Sequence, residues 1–280
     1  MTTSKFRLPA LAGLLLALGA PLTQAAEVKV TLTNLAPTDG VGLSPLWVGF
    51  HNGSFDTFDA GAAASVGIER TAEDGNAAPL SGLFAASSAS VAGGVQGILP
   101  GPPAFSGNVR SLAIQNVDLT GSGRYFSYAA MVVLSNDFFI SNDNAKQFDL
   151  SSIANGGKIT LLVGGAGQVY DAGTEVNDFA YSLANGHFGI GGGQTAANQG
   201  TDENGVVRLV TGNPYTSFAN QGDVPAGYQW GGLDFNAGSA FARIDIEVAA
   251  VPEPASLALM LAGLITVAGL ARRRGIGRQA

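Results

Sequence analysis

Apolar and polar positions alternate most regularly in two stretches far apart in the chain. Val28, Val30 and Leu32 alternate with Lys29, Thr31 and Thr33, and Ala242, Ile244, Ile246 and Val248 alternate with Arg243, Asp245 and Glu247. A period of two places one set of side chains on a buried face and the other in water, which predicts half-buried β-strands. The first run stops at Pro37-Thr38-Asp39-Gly40, a turn signal. Two strands of the same type at the beginning and end of one domain predict a sheet that receives both, as in a sandwich. Further strands are predicted over 44–51, 109–119, 125–134, 158–163 and 206–210. Turn-forming clusters such as Asn155-Gly156-Gly157 and Leu99-Pro100-Gly101-Pro102-Pro103 separate them. The rhythm breaks over 60–86, which is Ala-rich and carries Glu69, Arg70, Glu73 and Asp74, predicting one or two short helices. The Gly- and Asn-rich stretch 186–205 predicts a long surface loop. No internal repeat of fixed period is present.

Composition supports the strand reading. Of 280 residues, 40 are Gly and only 12% are charged, so long amphipathic helices lack the residues their wet faces need. The predicted fold class is all-β. There is no cysteine, which excludes disulfides, thiol nucleophiles, Cys-ligated zinc and iron–sulfur clusters. Stability then rests on the core or on a bound ion, and a domain of about 220 residues is large enough for a sizeable core.

The two ends read as targeting segments around a domain at 26–250. Residues 1–25 have the order of a secretory signal peptide: Lys5 and Arg7, an apolar run, then the small-x-small site Thr23-Gln24-Ala25. Residues 251–280 open with Val251-Pro252-Glu253-Pro254, continue without a charge from 255 to 271, and reach Arg272-Arg273-Arg274. About 17 residues at 1.5 Å each reach roughly 26 Å, the short end of a transmembrane helix, with the arginines on the cytoplasmic side. The Pro-Glu-Pro, apolar helix and Arg cluster resemble the PEP-CTERM sorting signal. That resemblance implies processing by an exosortase-type membrane protease, display at or release from the cell surface, and only a temporary membrane tether.

Charge narrows the partners of the middle segment. Setting aside the six basic residues of the two ends and Glu253 leaves 8 basic against 20 acidic residues, a charge of −12. Such a surface disfavours nucleic acid and anionic lipid and favours cations. Two acidic places follow apolar strands: Ser135-Asn136-Asp137, and Tyr170-Asp171-Ala172-Gly173-Thr174-Glu175. Carboxylates on loops at strand ends are free of the sheet ladder and are able to converge on one ion. Oxygen donors without His or Cys suit calcium at six to eight coordination better than zinc. The alternative is ordinary turn chemistry.

Several motifs resemble the spondin N-terminal domain, in that family's order and over roughly residues 28–250. They are Ser44-Pro45-Leu46-Trp47-Val48-Gly49-Phe50-His51, Gly61-Ala62-Ala63-Ala64-Ser65 with Glu69 and Glu73-Asp74-Gly75, Ser135-Asn136-Asp137-Phe138-Phe139-Ile140, and Asp171-Ala172-Gly173-Thr174-Glu175. The resemblance implies a C2-like antiparallel β-sandwich with a calcium site, in a matrix-adhesion module. By position the implied ligands are Asp137, Asp171 and Glu175, the last standing where Asp is usual. Cysteines that the family's animal members carry in this region are absent here.

The remaining residues read blandly. His51 is expected to be packed or hydrogen-bonded at a strand end, His187 to be exposed, and Trp47 and Trp230 to be core or rim aromatics. Gly164-Gly165-Ala166-Gly167 lacks phosphate-loop spacing and is expected to be a turn. Glu69 and Glu73, four apart, share a helix face and are expected to be solvated rather than to form a glycosidase pair. The expected function is a non-enzymatic, calcium-stabilised adhesion module. A secreted exopolysaccharide hydrolase and a ligand-free structural biofilm component are the alternatives, and the adhesion partner, polysaccharide or surface protein, is left open.

Overall fold

In the computed structural model the described residues are 25–38, 40–133, 135–165, 167–177, 181–182, 187–188, 199–214, 240–249, 259 and 261–266. The signal-peptide reading, Trp230, the Pro-Glu-Pro segment and the Arg272–Arg274 cluster lie outside them. So does most of the expected helix over 255–271. Leu259 and 261–266 are helical, and among the described residues no helix is long and apolar enough to cross a membrane.

Two antiparallel sheets form the domain. The first runs β5 (Val109–Val117), β1 (Ala26–Asn34), β14 (Ala242–Val248), β9 (Gly157–Val163). The two alternating strands of the sequence, β1 and β14, are therefore neighbours, in register from Val28 opposite Val248 to Asn34 opposite Ala242. Their apolar positions are buried, and Lys29, Thr31, Arg243 and Glu247 lie on the outer face, where Lys158 pairs with Asp245 and Glu247. The second sheet runs β13 (Arg208–Leu209), β10 (Val169–Asp171), β7 (Phe138–Ser141), β6 (Tyr125–Val133), β3 (Trp47–His51), β4 (Val95–Ile98). Short strands β2 (Gly42–Leu43) and β8 (Phe148–Asp149) also pair with β6, and a separate two-stranded ribbon joins β11 (Tyr181–Ser182) to β12 (His187–Phe188).

The two sheets do not obey the same pattern, and the reason is a second core. Between the sheets, Val28, Val30 and Leu32 pack with Phe50, Phe126, Tyr128, Ile244 and Ile246. On the other side of the second sheet, Trp47, Phe139 and Tyr170 pack with Phe55, Phe58, Ile68, Leu80 and Phe84. The latter group comes largely from α1 (Val66–Asp74), α2 (Ala78–Ala85) and the segment before them; α3 (Ser88–Val91) adds Ala89. Strands β3 and β6 are thus buried on both faces, which explains why they read as continuous apolar runs rather than as alternation. Each large apolar side chain fully buried this way contributes about 1.5–3 kcal/mol.

Several boundaries differ from the expected ones for local reasons. Strand β3 begins at Trp47 rather than at Ser44, because Pro45 has no N–H for a ladder. Strand β5 stops at Val117 beside Asn116, whose φ of 62° takes the chain out of the extended region, and the pairing with β1 shifts register there. Helix α1 starts at Ser65, whose Oγ accepts from the Ile68 N–H, and ends at Gly75 with φ 64°, a left-handed cap that glycine adopts without strain.

Asn34 closes one end of the first sheet onto the second. Its buried Nδ2 donates to the carbonyls of Val41 (2.9 Å) and Ala104 (2.8 Å), and its Oδ1 accepts from the Ala36 N–H (2.8 Å). This is the end of the sandwich at which Gly42 pairs with Val133, opposite to the end where Val28 meets Val248. Replacing Asn34 with Ala removes the side-chain partner of the Val41 carbonyl and the Ala36 N–H and one of the two donors to the Ala104 carbonyl, which keeps the Leu43 N–H. Urea unfolding is expected to show a loss of about 2–4 kcal/mol, and a loss below 0.5 kcal/mol would contradict this role.

Candidate metal centre

Asp137 stands just past the end of β6. The turn that carries it is held by Ser135, whose Oγ donates to the Val132 carbonyl (2.7 Å) and accepts from the Phe138 N–H (3.0 Å). Asp137 is fully buried. Its Oδ2 accepts from the backbone N–H groups of Thr174 (2.9 Å) and Glu175 (3.1 Å), with the Thr174 hydroxyl at 3.4 Å. Its other oxygen, Oδ1, is buried without a hydrogen-bond partner.

Asp171 is the last residue of β10, opposite Phe138 on one side and Arg208 on the other. Asp171 thus lies on a strand rather than on the loop expected after β9, because β10 has three residues, too few to show a period. Oδ1 of Asp171 accepts from the Gly173 N–H (2.7 Å), an Asx turn that starts the loop. Gly173 has φ 67°, and a Cβ there would lie 2.5 Å from the Val206 carbonyl oxygen, so the loop needs glycine at this point. Oδ2 of Asp171 accepts from Asn177 Nδ2 (2.8 Å) and from Arg208 (2.9 Å).

The loop then runs alongside residues 201–205. The Gly205 N–H donates to the Gly173 carbonyl (2.7 Å), Glu203 to Thr174 (2.9 Å), and Val176 to Thr201 (2.8 Å). This pairing decides which third acid reaches the centre. Oxygens of Asp137, Asp171 and Glu203 lie within 4.8 Å of one another. Glu175 is buried but is not in that group: its N–H serves Asp137, and its carboxylate lies against Gly200, where a Cβ would come within 1.4 Å of Oε1. Of the three acids expected from sequence, two converge as side chains and the third contributes its backbone. The sequence reading missed Glu203. The signal available for it was Asp202-Glu203-Asn204-Gly205, two acids in a turn cluster within the stretch read only as surface loop.

The electrostatics of the cluster follow from burial. Desolvation, with the Asp171 charge second, pushes Asp137 up to about 7 against the opposing pull of the two N–H groups. Asp171 is also raised, chiefly by desolvation, while the Gly173 N–H and Arg208 hold it down. Arg208 is the nearby counter-charge, pairing with Glu203 (2.7 Å) and Asp171 (2.9 Å). Three carboxylates against one guanidinium leave the cluster with an excess of negative charge. All donors are oxygens, and one buried oxygen of Asp137 lacks a partner, so the residues present fit a hard cation such as calcium better than a thiophilic metal.

The neighbouring acids of α1 are not solvated as expected. Arg70 binds Glu69 (2.6 Å), Asp74 (2.8 Å) and Glu73, and Glu73 is buried. Glu69 and Glu73 share a face, and that face holds the Arg70 guanidinium. An open cleft of about 220 Å³ separates this helix from the loop, between Ala63, Glu69, Thr174 and Asp202.

His51 is buried and hydrogen-bonded. The Gly53 N–H donates to Nδ1 (3.0 Å), so Nε2 carries the hydrogen and donates to Ser127 Oγ (2.9 Å). This tautomer is unable to take a proton from Ser127, and burial pushes the imidazole down to about 4. Trp47 is a core aromatic, as expected; its Nε1 donates to Gln96 Oε1 (2.7 Å). The side chain of His187 lies outside the described residues.

The raised Asp137 has a signed consequence for the ion-free protein. Its folded-state value lies above the ordinary 3.8, so its contribution is full below that value and is lost as pH rises towards 7. In chelator, stability is expected to fall by up to about 1.4 kcal/mol per pH unit between pH 4.5 and 7 from this one proton. Asp137→Asn keeps an acceptor for the two N–H groups and should flatten the profile. An unchanged slope in urea titrations across that range would contradict the assignment.

Comparison with known proteins bears on the end of the chain. No curated protein matches the sequence. Residues 250–274 match the PEP-CTERM protein-sorting motif, and they begin two residues after the end of β14. The motif marks an exported protein that exosortase, a membrane protease, processes in sorting it to the cell surface.

Proposed function

We propose that this chain is a spondin-like, C2-like β-sandwich adhesion module, displayed at or released from the cell surface and stabilised by calcium at Asp137, Asp171 and Glu203. The observation that carries the reading is the fully buried Asp137 carboxylate, which has an oxygen without a partner and two further carboxylates within reach. A cation supplies the charge that burial denies. The Asp137 oxygen, the end of β10 and the 201–205 segment become ligated together, reinforcing the three backbone hydrogen bonds that join the 173–176 loop to 201–205.

The position of the cluster suits display. Asp137 stands level with Val133, at the Asn34 end of the sandwich, whereas β14 runs into the sorting motif at the other end. Six residue steps of β1, from Val28 to Asn34, separate these ends, about 20 Å at strand rise. A tether at the C-terminus therefore leaves the acidic end facing outwards, where a matrix polysaccharide or surface protein meets it.

Calcium at 100 times its Kd is expected to stabilise the domain by about 2.7 kcal/mol, a rise in Tm of about 5–10 °C that chelator reverses. Asp171→Ala should abolish the rise. Absence of any shift in the unsubstituted protein would overturn the calcium reading. Calcium-dependent cell aggregation, lost in a deletion strain and restored by the intact gene, tests adhesion separately.

A further inference from the structure

We propose that Arg208 is a built-in competitor at the carboxylate cluster, whose guanidinium has to leave Asp171 and Glu203 before a divalent cation binds; this rests on the calcium reading above. Arg208 donates from one nitrogen to Glu203 Oε1 (2.7 Å) and from the other to Glu203 Oε2 (3.1 Å) and Asp171 Oδ2 (2.9 Å). Three oxygens that an ion needs are thus already accepting from a cation. Of the three carboxylates of the cluster, Asp137 is the one with a buried oxygen that has no hydrogen-bond partner. Two positive charges within a group of oxygens spanning 4.8 Å repel strongly in a partly buried setting.

The geometry allows the guanidinium to move while the strand stays. The Arg208 side chain is half-exposed, at 48%, so water is available to receive its charge. The backbone on either side is fixed independently: the Val207 N–H donates to Ala62, the Gly61 N–H to Val207, and the Val210 N–H to Val169.

Such a competitor also discriminates. A monovalent ion that displaces the guanidinium replaces one positive charge with another and gains little. A divalent ion adds net charge to a cluster that is still negative. Displacing the guanidinium costs the same whichever ion enters, so Arg208 lowers affinity for every cation, and a divalent ion has the larger attraction to the carboxylates with which to offset that cost.

The test is calorimetric titration of the purified full chain with calcium chloride at fixed ionic strength, comparing the unsubstituted protein with Arg208→Gln and Arg208→Lys. Arg208→Gln is expected to bind calcium about tenfold or more tightly, since a like charge has been removed from the site. Arg208→Lys, which keeps the charge but not the two-armed contact, should fall between. Thermal unfolding in chelator checks that each variant is folded, and if Arg208→Gln is not, the lysine variant alone decides by the same criterion. Unsubstituted protein that binds, with variants that bind equally or more weakly, would overturn the competitor role and leave the calcium site standing. No calcium binding by any of the three would overturn both.

Discussion

Burial of β6 on both faces is the constraint on which the remaining architecture depends. Its nine residues contain eight buried ones, with Phe126, Tyr128, Ala130 and Val132 turned towards the first sheet and Ala129 among the residues of the helix-side core. A strand of this kind cannot lie at a sheet edge or face water on either side. It therefore requires ladder partners on both flanks, which β3 and β7 supply, a sheet over one face and an apolar cap over the other. The helices of 66–91 supply the cap. Phe84 of α2 packs on Trp47, with ring centroids 5.7 Å apart, and Ile68 and Leu80 share the same cluster, so the helical insertion belongs to the core rather than decorating it.

The same constraint explains why a carboxylate ends up buried. A chain leaving β6 has to turn back at once to form β7, since Met131 pairs with Phe139. The turn sits between the end of β10 and the loop after it, and Asp137 at its tip is buried. Backbone N–H groups of Thr174 and Glu175 compensate one oxygen and leave the other. A neutral residue at this place would avoid the cost of burying charge, and that cost is what raises Asp137 to about 7.

Arg70 and Arg208 show two uses of the same side chain. Arg70 is buried on α1 and satisfied by three acids of its own helix, Glu69, Glu73 and Asp74, so it locks a local structure. Arg208 is half-exposed and bridges acids from different segments. Exposure separates them: a buried guanidinium has nowhere else to put its charge, whereas an exposed one has water as an alternative partner.

The alternating strands β1 and β14 were legible from residue order alone, because a period of two has only one solution when one face is buried, and so were the helical break at 60–86 and the sorting signal, read over 251–280 and matched over 250–274. Asp137 and Asp171 were legible as acids beside strands, through turn chemistry and resemblance. Strands β4, β7 and β10 were not, since three or four residues are too few to display a period. Nor was the exchange of Glu175 for Glu203 in the carboxylate cluster. Which of two acids reaches Asp137 depends on how the 173–176 loop pairs with 201–205, a contact between segments nearly thirty residues apart that no local pattern encodes. Local chemistry thus determined which residues were able to form strands, turns and a carboxylate cluster. Long-range pairing decided which of them meet, because the hydrogen-bond register between distant segments is set only when the whole sheet closes.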